Sequence, residues 1–205
     1  MAAGTLRRLR ATDSGAPAGW PPAIQVQDIA EGAAERVEGI AALTLSHYDL
    51  RAGSVMVIIS NSGINASPVE MAMLCKAAGL IVVALTSVTH SAAVAPRHSS
   101  GKKLYEIADI VIDTHGVPGD AAIELPNSNL KSGATSTPVG ASIIQAIVVQ
   151  AAALLAQRGI EPPVLVSANV PEGDKHNEKL RLRYRPRMAR YQIAQPTPVL
   201  TEGRK

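Results

Sequence analysis

The run Ser54-Val55-Met56-Val57-Ile58-Ile59, followed at once by Ser60-Asn61-Ser62-Gly63-Ile64-Asn65, decides how this chain is read. The aliphatic part is bounded by Gly53 and Gly63, is too short for a stable helix and is rich in β-branched residues, so it predicts a buried strand. Immediately downstream, Ser67-Pro68-Val69-Glu70 has the pattern of a helix start. Ser67 is expected as the N-cap, Pro68 at the first helical position and Glu70 closing a capping box. That helix should run to Ala78 and stop at Gly79. Residues 80–85 repeat the aliphatic strand pattern, 101–108 predict a short helix and 109–113 a third strand. Strands alternating with helices predict an α/β fold: a three-layer sandwich around a parallel, doubly wound sheet.

Upstream, apolar positions recur at helical spacing over 33–47, and Tyr48-Asp49-Leu50-Arg51-Ala52-Gly53 then breaks the pattern. Residues 1–32 are expected to be an irregular extension. Downstream, 114–137 is a long Gly-, Pro-, Asn-, Ser- and Thr-rich connection of the kind that is functional or covers a site. Pro138 is expected to open a long apolar helix that Gly159 ends. Its stretch over 139–156 is interrupted by Ser142, Gln145 and Gln150, which suits a helix buried in the domain or in a subunit contact better than a membrane anchor. Residues 164–166 read as a fourth strand and 176–184 as a charged helix. The folded unit is thus expected over 33–185, with a basic, Pro-rich tail over 186–205.

Composition narrows the function. Hydrophobic residues make up 46% of the chain but aromatic ones only 2%, so the core is filled by aliphatic side chains. The net charge of +3 conceals an acidic body between basic ends: residues 175–205 carry nine Lys and Arg against two acids. A nucleic-acid reader needs a basic folded face and, for single strands, aromatic platforms; neither is present, and no nucleic-acid partner is expected. Cys75 is the single cysteine and sits in an apolar helical pattern, which suits a small buried hydrophobe in a reducing, cytoplasmic compartment.

The chemistry concentrates at the carboxyl ends of the strands, where open α/β sheets bind ligands. Gly63 lets the backbone approach closely, successive amides can form a nest, and Ser60, Asn61, Ser62 and Asn65 add hydroxyl and amide groups, a set suited to an oxyanion. A turn whose Ser and Asn only satisfy their own backbone fits the spacing equally. A capping box closed by Glu70 would also set a carboxylate near such an anion. Two further hydroxyl clusters, Thr86-Ser87-Val88-Thr89-His90-Ser91 and Thr135-Ser136-Thr137, end the next strand and precede the long helix. Three polar loops around one pocket suit a polyhydroxylated ligand. His90, His98 and His115 have no Cys or carboxylate at metal-ligand spacing, so no metal or other cofactor is expected.

In combination these segments resemble a sugar isomerase (SIS) domain. The resemblance rests on Ser60-Asn61-Ser62-Gly63 after an aliphatic strand, Thr86-Ser87 after the next, Leu104-Tyr105-Glu106-Ile107-Ala108-Asp109, and Ala134-Thr135-Ser136-Thr137 before the long helix. Arg97-His98-Ser99-Ser100-Gly101-Lys102-Lys103, Gly116-Val117-Pro118-Gly119-Asp120, Ser167-Ala168-Asn169 and Gly173-Asp174-Lys175-His176-Asn177 bring it closer to an uncharacterised bacterial group of single-domain SIS proteins. It covers about residues 33–185.

The resemblance implies binding of a phosphorylated sugar, usually by a homodimer, with or without interconversion of aldose and ketose phosphates. It assigns the phosphate to Ser60, Asn61, Ser62, Gly63 and, more loosely, Asn65. Further sugar or phosphate contacts fall to Ser136 and Thr137, with Ser87 a weaker transfer. SIS domains ordinarily begin with a long helix, a strand and a Gly-rich, Ser-ending loop. The segment before Ala33 has no such pattern, so the resemblance implies an N-terminally incomplete form. No residue matches the glutamate that serves known isomerases as base. Glu124, near the mouth of the expected crevice, and His176 are the candidates, each with a bland alternative as a solvated loop carboxylate and a first-turn helix residue. A sensor without catalysis, or an interaction protein with a vestigial site, remains open beside the isomerase.

Overall fold

The computed structural model describes residues 33–185, and the extension and tail expected over 1–32 and 186–205 lie outside the described residues. Three short strands, β1 (Val55–Ile59), β2 (Ile81–Thr86) and β3 (Ile110–Asp113), form a parallel sheet in the order β1-β2-β3. Val55 pairs with Ile81 and Val83 with Ile110, so the aliphatic runs lie side by side. Parallel neighbours need a crossover, and the chain supplies α2 (Ala66–Ala77) between β1 and β2, then α3 (Val88–Ala92) and α4 (Leu104–Ile107) between β2 and β3. A six-residue helix, α1 (Ile40–Leu45), precedes β1.

The period of two along each strand decides which side chains face which layer. Ile58 of β1 with Val82 and Ala84 of β2 meet Ala72 and Cys75 of α2, Leu104 of α4 and Leu45 of α1. This is the main core, and it is wholly aliphatic apart from the thiol. A fully buried side chain such as Leu104 contributes about 1.5–3 kcal/mol of transfer free energy. On the opposite face Val83 and Leu85 are buried. There the long helix α5 (Ser136–Gln157) makes its close approach: a Cβ added at Gly140 would meet Leu85 Cδ2 at 3.7 Å. The chain is therefore an α/β fold with helices on a parallel sheet, as its strand and helix alternation predicts. Further along lies α6 (Gly173–Tyr184).

Several local expectations are corrected. The periodic segment 33–47 is not one helix: a 3₁₀ turn over Ala34–Arg36 precedes α1, with Gly39 between them at φ 94°, a left-handed conformation that interrupts the run. Helix α2 begins at Ala66 with Asn65 in the N-cap position, so Ser67 and Pro68 lie inside the first turn. Glu70 closes no capping box. Its carboxylate instead accepts hydrogen bonds from Gly39 N (2.8 Å) and Ala41 N (3.3 Å), the orphan donors of α1, because a tertiary partner with free amides outcompetes the local one. The connection over 114–137 is not structureless: β4 (Ala121–Glu124) and β5 (Lys131–Ala134) pair as an antiparallel hairpin, whose turn accommodates Asn127 at φ 55°. Helix α5 starts at Ser136, two residues before Pro138. Residues 164–166 form no strand. Their backbone is bracketed by the Asn177 side chain, which accepts from Val166 N (3.0 Å) and donates to Val166 O (2.8 Å), replacing a strand neighbour. Finally, only Gly140 of α5 is buried among the described residues, so of the two expectations for this helix, burial in the domain or in a subunit contact, the first does not hold.

Candidate functional site

The loop after β1 is fixed from beneath and from the side. Ser60 N donates to Leu85 O, while Thr86 Oγ1 and Ser87 N both donate to Asn61 O, tying the loop to the end of β2. Gly63 stands at φ 60°, and a Cβ there would lie 3.0 Å from Thr86 Oγ1 and 3.3 Å from both Leu104 Cβ and Ser91 Oγ. Only glycine fits that close approach. The carbonyls of Gly63 and Ile64 turn away from the loop's open side, accepting from Leu104 N (2.8 Å) and Arg97 N (2.9 Å).

What this leaves is a series of amides without acceptors. Gly63 N reaches Ser60 Oγ at 3.2 Å, but no hydrogen bond among the described residues engages the N–H of Ser62, Ile64, Asn65, Ala66 or Ser67. Ile64, Asn65 and Ala66 are themselves buried. The first amides of any helix lack an intrahelical acceptor, so this series at the start of a twelve-residue helix is a set of donors that an anion can engage. Asn65 has the extended backbone of an N-cap, φ −71° and ψ 154°, yet its side chain makes no cap bond. Its Oδ1 accepts from Arg97 Nη1 at 2.8 Å instead. With Glu70 drawn off to α1, no carboxylate of the first turn opposes an anion here.

The other polar loops divide. Asn61, Ser136 and Thr137 come together with Ile59, Gly140, Ala141, Ile144 and Gln145 around an open cleft of about 500 Å³ between the end of β1 and the first half of α5. Asn61 Oδ1 is shielded from solvent and has no partner among the described residues; it lies against the turn at Gly116, where an added Cβ would stand 3.4 Å from it. The Ser136 hydroxyl is committed: it donates to Asp120 Oδ2 at 2.6 Å, while Ser136 N and Thr135 N donate to Asp120 Oδ1 at 2.8 and 3.0 Å. Asp120 thus caps α5 from within. Burial works against its charge, but the hydrogen bonds from Ser136 and Thr135 prevail and hold its carboxyl below the usual carboxylate range.

Ser87 does not line the cleft. Its fully buried hydroxyl donates to Gly116 O (2.6 Å) and accepts from His90 N (3.1 Å), capping α3 and holding the 114–119 turn. His90 Nδ1 accepts from Gly119 N at 2.8 Å and fastens the same turn. Glu124 is exposed on the hairpin, 3.2 Å from Lys131 Nζ, and His176 Nε2 donates to Val164 O at 2.9 Å. Neither is among the cleft residues. Arg97 and Asp120 were not singled out for chemistry by the sequence reading. Each lies in a dispersed motif that carried the family resemblance, and that was the available signal.

Residues 20–87, which include β1 and its loop, match the SIS domain family. Similar curated proteins include a UPF0309 protein of Halalkalibacterium halodurans, 45% identical over 150 residues covering 73% of this chain and 62% of that protein. A UPF0309 protein of Streptomyces coelicolor is 45% identical over 152 residues, 74% of this chain and 61% of its own. One from Brucella anthropi is 40% identical over 167 residues, 80% of this chain and 67% of its own. The chain belongs to this bacterial SIS-domain family. It spans only 61 to 64% of the length of the first relatives it matches.

Proposed function

We propose that this chain binds a phosphorylated sugar, with the phosphate on the loop of Ser60, Asn61, Ser62 and Gly63 and the sugar in the cleft beside Asn61 and Thr137. The observation that carries this reading is the set of unpaired amides of Ser62, Ile64, Asn65, Ala66 and Ser67, several of them on buried residues. A phosphate supplies the missing acceptors and gains from the helix dipole, and sugar hydroxyls meet the polar residues of the cleft lining, Asn61, Thr137 and Gln145. Ser136 serves through its hold on the cleft wall, and Asn65 and Ser87 act as framework.

Binding without chemistry is favoured over aldose–ketose isomerisation by the cleft lining, which contains no Asp, Glu, His or Lys among the described residues. Isomerisation needs a base within hydrogen-bond reach of the migrating proton. Glu124 or His176 would have to be brought in by another part of the protein or a second copy. A homodimer is proposed on the apolar side chains that α5 leaves exposed, Ile147, Val148, Val149 and Leu154. Although α5 is long and apolar enough to cross a membrane, its first turn lines the cleft, which supports a place in the folded domain. The free, buried Cys75 supports a cytoplasmic setting.

Thermal shift with hexose, hexosamine and N-acetylhexosamine phosphates tests the binding. At least one should raise the melting temperature, and Ser62→Ala should weaken the effect; no response to any of them, or to inorganic phosphate, would overturn the reading. Exchange of a substrate C–H proton with solvent deuterium would establish isomerisation, and tight binding without exchange would establish a sensor.

A further inference from the structure

We propose that Arg97 is a positioning residue that keeps the amino end of α2 open to an anion by holding away the side chain that would otherwise cap it. This rests on the phosphate site described above. Asn is among the best N-cap residues, and Asn65 already has the backbone conformation in which its oxygen can turn back to the amide two residues on. That amide is Ser67 N, because the following residue is Pro68 and has no N–H to offer. A capped Ser67 would leave a bound oxyanion short of one donor. The observed Oδ1 is instead 2.8 Å from Arg97 Nη1. Arg97 is placed for this by its own backbone, whose N–H donates to Ile64 O at 2.9 Å, so the guanidinium is anchored to the loop it serves. Asn65 is only 5% exposed, so its amide group has few directions to choose between, and Arg97 selects the one that leaves the helix end free. A single guanidinium thus converts a self-satisfied helix start into a receptive one, without being required to touch the ligand.

Arg97 is exposed, and Arg97→Met keeps its backbone bond and aliphatic stem, so the variant should fold. Two measurements on the full chain separate this idea from the phosphate reading. In the phosphate-free protein, amide exchange followed by NMR should show Ser67 N–H exchanging about fivefold more slowly in Arg97→Met than in wild type, as Asn65 swings over to cap it. Unchanged exchange would overturn the proposal, whether or not phosphate binds.

In calorimetric titration with inorganic phosphate at fixed ionic strength, Arg97→Met should weaken binding about fivefold. In an Asn65→Ala background, where no cap can form, the same substitution should have almost no effect. An equal loss in both backgrounds would mean that Arg97 acts on the anion directly, and would overturn the positioning role while leaving the site intact. No phosphate binding by wild type would remove the site, with Ser67 exchange still deciding what Arg97 does to Asn65.

Discussion

Replacing Asp120 tests how the far wall of the cleft is built. Its carboxylate accepts from two backbone amides and the Ser136 hydroxyl at the first turn of α5, and it sits at φ 70°, where Asn is tolerated far better than Ala. Asp120→Asn keeps one acceptor oxygen and the backbone preference but loses the charge facing the helix dipole and the acceptor of the Ser136 hydroxyl. We expect a loss of about 1 kcal/mol. Asp120→Ala removes the whole cap, worth about 1–2 kcal/mol, and adds roughly 1 kcal/mol of left-handed strain, so about 2–3 kcal/mol is expected. For a protein of this size these correspond to drops in melting temperature of roughly 2–4 °C and 5–10 °C.

The pH dependence carries a sign. The folded carboxyl is held below the usual carboxylate range, so its ionised form stabilises the fold above the unfolded pKa, and this contribution is lost as pH falls through the lower folded value. Urea unfolding from pH 8 down to pH 3 should show a constant gap between wild type and Asp120→Asn above about pH 5, closing in acid. Equal stability at pH 7, or a gap that ignores acid, would refute the reasoning that Asp120 is the anionic cap of α5.

Three other outcomes are expected. Gly63→Ala meets both a positive φ and a 3.0 Å contact with Thr86 Oγ1, so urea unfolding should register a loss of roughly 2–4 kcal/mol. Glu70→Ala frees Gly39 N and Ala41 N; it should cost about 1–2 kcal/mol, and hydrogen exchange should accelerate in α1 well before it does in α2. Burial raises the Cys75 thiol pKa, so a disulfide reagent at pH 8 should label the native protein slowly and the urea-unfolded protein at once.

What was legible in the sequence follows from how local each cause is. The three strands could be read because each is a short aliphatic run between breakers, and the stops at Gly79 and Gly159 because both need a left-handed residue, at φ 77° and 72°. The start of α2 was misplaced because Ser67, Pro68 and Glu70 look self-sufficient in sequence, whereas Glu70 is claimed by amides 31 and 29 residues away. The hairpin strands, Ala-Ala-Ile-Glu and Lys-Ser-Gly-Ala, carry almost no strand preference; backbone pairing holds them, and pairing leaves no mark on composition. Asn61, Ser136 and Thr137 share one cleft because polar loops at the ends of parallel elements converge geometrically, and that convergence could be anticipated from their places in the sequence. Ser87 misled because a hydroxyl that caps a helix looks, in sequence, like one that awaits a ligand.

The opposing sides of the cleft are not independent bodies. From the loop of β1, Asn61 O is gripped by Thr86 and Ser87; Ser87 grips Gly116 O, His90 grips Gly119 N, and the next residue, Asp120, grips the first turn of α5. These fastenings run in series, like links of a short chain between two jambs. Loss of any one of them would uncouple the two sides, so the width of the aperture depends on residues that never face it.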